Sequence, residues 1–151
     1  MNVLTLDVET THKDRQGGGT TALPYFNNRL VSVGWKWLLN QDVNYEFFYH
    51  KDKDTWYNSE TVNKIQNDLD KTDVLVGQNI KFDIMWLRAC GFKYDGVIYD
   101  TMVAEYLRSK GRRWSLALDA LAKRYNVTQK ETDLVTPYLK EGKTFFDIPA
   151  E

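Results

Sequence analysis

The hydrophobic pattern of this chain changes period once, and the change dictates the order of its elements. Up to about residue 50 apolar and polar residues alternate, and from residue 59 apolar residues recur at three- and four-residue spacing. Strands therefore come first, and helices enter from residue 59 onward. Val3 to Glu9 alternates from the start. Leu30 to Leu38 places Val31, Val33, Trp35 and Trp37 on one face and Ser32, Gly34 and Lys36 on the other, and Val43 to His50 alternates through Val43, Tyr45, Phe47 and Tyr49. The Asn40-Gln41-Asp42 stretch between these two runs predicts a hairpin turn. Thr10 to Asn28 reads as a polar, mobile loop. Its Gly17, Gly18 and Gly19 lack the Gly-Lys-Ser/Thr ending of a phosphate-cradling loop, so they read as flexibility at the rim of a site.

In the second half, Ser59 to Asp70 carries Val62, Ile65 and Leu69 at helical spacing, with Asn58 or Ser59 as cap. Val74 to Val76 is short and wholly apolar, as a buried parallel strand is. A helix follows from about Asn79 to Cys90, closed by Gly91. Val97 to Tyr99 is another brief strand. Asp100 caps a helix reaching about Ser109, and Ser115 caps one whose Leu118, Leu121, Ala122 and Tyr125 share an apolar face. A three-strand meander followed by β-α units predicts an α/β fold, a mixed sheet with helices on its faces.

The length, 151 residues, suits one domain with one core. With 42% hydrophobic and 27% charged residues the balance is globular, and no apolar run is long enough for a bilayer. No membrane association is expected, and the first residues lack the pattern of a secretory signal. A lone cysteine, Cys90, cannot form an internal disulfide and predicts a cytoplasmic location; it reads as a buried structural thiol. Net charge is -1, so any phosphate binding is local, and cations can supply the positive charge.

Two motifs carry chemistry. In LDVET, Leu6 to Thr10, Asp7 and Glu9 are two apart on a strand, so both project to one face while Leu4, Leu6 and Val8 pack on the other. Acids that close raise each other's pKa unless a divalent cation neutralises them, and hard oxygen ligands suit Mg²⁺ or Mn²⁺. The plain alternative is a surface strand with two solvated acids. The second motif is GQNIKFD, Gly77 to Asp83, where a parallel strand gives way to a helix at the sheet edge that usually binds ligands. Asn79 offers an amide there. Asp83, one turn on and set among Phe82, Ile84, Met85, Trp86 and Leu87, is a candidate third ligand; its alternative is the solvent side of an amphipathic helix.

LDVET, then GQNIKFDIMWL, YDTMVAEYL and SLALDALAKRY in that order, resembles the DEDD superfamily of 3′-to-5′ exonucleases. The resemblance is closest to the proofreading domain of family A DNA polymerases, including those of bacteriophages. It implies a ribonuclease H-like fold and hydrolysis of phosphodiester bonds at single-stranded DNA 3′ ends, in the cytoplasm of a bacterial host if the chain is phage-encoded. It also implies a two-ion site of Mg²⁺ or Mn²⁺, with the ions about 3.5 to 4 Å apart. Asp7 then bridges both ions, Glu9 serves the water-activating ion, and Asp83 the other. Thr10, Asn79 and Phe82 become candidate substrate contacts. Asp100 matches a position that is not a metal ligand and reads as a helix cap.

The family's further motif, a Tyr or His followed by an Asp on a C-terminal helix, is missing. Tyr125 is followed four residues later by Gln129 and Tyr138 by Gly142, and His12 and His50 come too early. Phe145 to Glu151 resembles the segment that precedes that helix. The expectation is an exonuclease domain weakly active alone, needing a polymerase continuation or a separate chain for its fourth acid, unless Asp133 or Asp147 supplies it. Other readings stand beside this one. Arg108, Lys110, Arg112 and Arg113 next to Trp114 could hold phosphates and stack a base, making the chain a non-catalytic module for single-stranded ends or a replication partner; the same residues could be a solvated loop around Gly111. A ribonuclease of the same fold is the third.

Overall fold

The computed structural model describes residues 1–14, 20–53, 58–127 and 134–150. The elements run β1 (Val3–Thr10), β2 (Lys13–Asp14), β3 (Thr20–Thr21), a 3-10 turn (Pro24–Phe26), β4 (Leu30–Trp37), β5 (Asn44–Phe47), α1 (Ser59–Asp70), β6 (Val74–Gly77), α2 (Lys81–Ala89), β7 (Val97–Asp100), α3 (Thr101–Arg108), α4 (Leu118–Tyr125) and α5 (Thr136–Lys140). Five strands form one sheet in the order β5-β4-β1-β6-β7, with β1 at its centre. β4 pairs antiparallel with β1 and β5 with β4, while β6 and β7 run parallel to β1. This is the mixed α/β sheet that the change of period predicts.

The core lies on one side of that sheet. Leu4, Leu6 and Val8 of β1, with Val33 and Trp35 of β4, join Ile65 and Leu69 of α1 and Ile84, Trp86 and Leu87 of α2 in one buried cluster. Burial of this apolar stripe holds the helices on the sheet. Asn58 caps α1 by accepting the Glu60 amide at 2.9 Å. Asp100 caps α3, accepting from Met102 at 2.9 Å, and the same oxygen takes the Asn79 amide at 3.0 Å. Cys90 is half-buried against the core.

Several local expectations are corrected. The 10–28 stretch is not simply a loop: β2 and β3 pair, and Asn28 donates to the carbonyls of Thr21 and Leu23 at 2.7 and 2.9 Å. The Trp86 indole donates to the Ala22 carbonyl at 2.9 Å, pinning the segment to α2. Gly17, Gly18 and Gly19 lie outside the described residues. The hairpin turn falls earlier than Asn40, because the Asn40 amide closes back on the Trp37 carbonyl at 3.0 Å and leaves Leu38 and Leu39 at the exposed tip. Alternation in β5 stops at Phe47. The amides of Phe48 and Tyr49 both point to the Val31 carbonyl, a bulge-like break that turns Phe48 into the core.

The second helix begins at Lys81 rather than Asn79, since Asn79 takes a left-handed backbone (φ 55°) that ends the turn before the helix. Gly91 follows the helix with φ 89°. Ser115 does not cap α4. Its hydroxyl accepts the Ala117 amide at 3.4 Å while Ala117 holds the cap position, and of the expected apolar face Leu121 and Ala122 are buried but Leu118 and Tyr125 are exposed.

Candidate active site

β1 keeps strict alternation through its acids: Leu4, Leu6 and Val8 are buried, Asp7 is exposed and Glu9 half-buried. The registers place partners beside them on the same face. Asp7 lies opposite Gly34 and Gly34 opposite Tyr45; Glu9 lies opposite Ser32 and Ser32 opposite Phe47. Two rows thus cross three strands. Over them lies a cavity of about 280 Å³ lined by Asp7, Glu9, Tyr45, Phe47, His50 and Ile148, among others.

Asp83 reaches the same strand from the helical side. β6 pairs with β1 only from Val3 to Thr5, so beyond Thr5 that side of β1 is open. There the Asp83 Oδ1 accepts the Val8 amide at 3.0 Å, from a residue only 3% exposed. The solvent-facing alternative for this acid is excluded by that burial. Its pKa is pushed up to about 7, first by burial and then by the charge of Asp7, against the Val8 and Asp83 amides that favour the anion. A buried acid that feels its neighbour this strongly is a group whose ionisation a cation would control.

The remaining expected contacts divide. Asn79 is exposed at the β6–α2 turn, and Phe82 is half-buried against the core. Thr10 is 7% exposed and follows a break in the β1–β4 register, so its side chain supports the strand end. Gln78 donates to the Leu116 carbonyl at 2.7 Å and ties the α3–α4 connection to this sheet edge. Arg112, Arg113 and Trp114 sit exposed on that connection and do not line the cavity at Asp7 and Glu9. The guanidinium groups of Arg112 and Arg124 lie 5.0 and 4.7 Å from the Trp114 ring centre, so a base stacking on a covered face competes with them.

Sequence reasoning overlooked Tyr45, Ser32 and His50. The signal was present in the alternation itself: three strands laid in antiparallel register put the Ser32 and Gly34 face beside the acids and Tyr45 one strand further out. The C-terminal stretch was also more than a lead-in. Phe146 stacks on Tyr49 at 4.5 Å, the His50 imidazole meets the Ile148 carbonyl at 2.7 Å, and Phe145, Ile148, Pro149 and Ala150 close the cavity over Asp7 and Glu9. Asp147 does not turn into it. Its carboxylate accepts the Thr144 amide at 2.8 Å and hydroxyl at 3.0 Å, and the amide foremost holds it below the usual carboxylate range. Asp133 lies outside the described residues.

Among the described residues no three His, Cys, Asp or Glu side chains are gathered into a cage for a metal ion. The donor set nonetheless fits Mg²⁺ or Mn²⁺. Such ions are commonly held by one or two carboxylates and complete their shells with water and substrate phosphate, and Asp7, Glu9 and Asp83 offer carboxylates on and beside one strand end.

A central strand with paired acids, joined by a buried acid from the helix after the neighbouring parallel strand, defines the chain as an α/β protein with three carboxylates on and beside the end of its central strand. The family model for the 3′-5′ exonuclease of family A DNA polymerases matches residues 2–136, and the chain belongs to that family. The sheet is compatible with the ribonuclease H-like fold of such domains, and the family uses divalent metal ions. No curated protein matches the chain. No helix of the described residues is long and apolar enough to cross a membrane.

Proposed function

We propose that this chain is the proofreading exonuclease domain of a phage-type DNA polymerase, acting on single-stranded DNA 3′ ends with Mg²⁺ or Mn²⁺. The observation that supports it most is the bond from the Val8 amide to Asp83, which sets the α2 acid against the strand between Asp7 and Glu9. Asp7, Glu9 and Asp83 would hold the ions. Bound there, divalent ions would supply an activated water and charge neutralisation at the leaving 3′ oxygen. The chain's own residues orient the reaction. The Asp7 and Glu9 face receives the terminal phosphate, and the Val8 amide keeps Asp83 from turning away. Thr10, Asn79 and Phe82 border the strand end where the last nucleotides lie, and Arg112, Arg113 and Trp114 meet the strand further from its end.

The fourth acid and the water-positioning tyrosine of the family are supplied, in this reading, by a polymerase continuation or a separate chain. The test is a degradation assay with Mn²⁺ on single-stranded DNA labelled at either end. Shortening from the 3′ end alone, lost in Asp7→Ala, supports the reading; Asp7-independent shortening, or cleavage of RNA in preference to DNA, overturns it.

A further inference from the structure

The cavity over Asp7 and Glu9 contains a neutral hydroxyl that the family motifs do not account for. Tyr45 lies opposite Gly34, which lies opposite Asp7. The Tyr45 ring lies along the sheet over Gly34, where a first side-chain carbon would meet it at 3.4 Å, an ordinary contact distance. The ring meets Phe47 edge-on at 4.9 Å. Its hydroxyl lies 2.6 Å from the Ser32 Oγ, in the row that begins with Glu9. Ser32 is wholly buried whereas Tyr45 is 49% exposed. With Ser32 donating, the phenol keeps its own proton for an acceptor on the cavity side.

Among the described side chains that line the cavity, only Tyr45 and His50 carry an N–H or O–H. His50 is committed: its Nδ1 accepts the Asp52 amide at 3.1 Å, which leaves Nε2 to donate to the Ile148 carbonyl at 2.7 Å. A phosphate drawn to the acids by cations still presents non-bridging oxygens, and no cationic side chain lines the cavity to meet them among the described residues.

We propose that Tyr45 is a further substrate-binding residue, its hydroxyl set by Ser32 to donate to a non-bridging oxygen of the 3′-terminal phosphate. The inference rests on the exonuclease reading and deepens it. Thymidine 5′-monophosphate, a product of the reaction, is the probe, titrated into the full chain with Mn²⁺ alongside titrations of Mn²⁺ alone. Tyr45→Phe keeps the ring and removes only the hydroxyl. It should weaken nucleotide binding about tenfold, the loss expected of a hydrogen bond to a charged group, and leave Mn²⁺ affinity unchanged. Ser32→Ala should weaken nucleotide binding less. Equal nucleotide affinity in wild type and Tyr45→Phe overturns the proposal, as does a parallel loss of Mn²⁺ binding, which would mark a structural role. Nucleotide binding that survives in Asp7→Ala, or is absent from wild type with Mn²⁺, sinks the exonuclease reading itself and the proposal with it.

Discussion

The Asp83 carboxylate accepts the Val8 amide at 3.0 Å, so the acid of α2 is tied to the strand segment between the two acids of β1. Both members of this bond are buried. Asp83→Ala leaves the amide without its acceptor and should destabilise the chain by about 1–3 kcal/mol in urea unfolding. Asp83→Asn keeps an acceptor and removes a charge that repels Asp7. Without divalent ions, and above the Asp83 midpoint, it should be at least as stable as wild type. An Asn variant as unstable as the Ala variant would show that the charge, not the bond, is what the fold uses.

The raised pKa of Asp83 makes stability depend on pH with a definite sign. Between 3.8 and about 7 the folded chain holds a proton on Asp83 that the unfolded chain has released. The folded state therefore binds more protons, and the Asp83 contribution is fully present below 3.8 and is lost as pH rises through about 7. The slope is at most about 1.4 kcal/mol per pH unit. Unfolding in chelator across this window, with Asp83→Asn subtracted, isolates the effect; a difference curve that rises with pH contradicts the assignment.

Asp7 is the second cause of that shift, after burial. In Asp7→Ala the Asp83 midpoint should fall yet stay above the ordinary carboxylate range, as read by carbon NMR of the side-chain carboxyl. Mn²⁺ should bind wild type more tightly than this variant and release protons as it does so, because it competes with the proton on Asp83. Identical Mn²⁺ isotherms for the two proteins would remove Asp7 from the site.

Much of this arrangement is legible in the amino-acid sequence. Alternation places Asp7 and Glu9 on one face of β1, and the strand-to-helix switch at Gly77 places Asp83 near the same edge. What pattern reading misses is set by non-local partners. Asn79 leaves the helix for a left-handed turn whose amide Asp100 receives, and a bulge at Val31 ends the β5 alternation. Tyr45 reads as one aromatic of an alternating strand, and only its register against Gly34 brings it beside the acids. The segment at Phe146 shows no helix or strand period, because its order comes from stacking on Tyr49 and from bonds to His50 and Lys51.

The C-terminal segment allows a decisive test of where the fourth acid comes from. Asp147 is spent on Thr144, so Asp147→Asn should loosen the turn without touching the chemistry. The chain alone should degrade single-stranded DNA poorly with Mg²⁺. A helix carrying Tyr-x-x-x-Asp, fused after Ala150 or added as a separate chain, should raise the rate by about a hundredfold or more, the scale of restoring one transition-state contact. That restored activity should vanish in Asp7→Ala and persist in Asp147→Asn. Robust hydrolysis by the chain alone that disappears in Asp147→Asn would instead mean that Asp147 swings from Thr144 into the cavity when cations bind, and that no outside helix is needed.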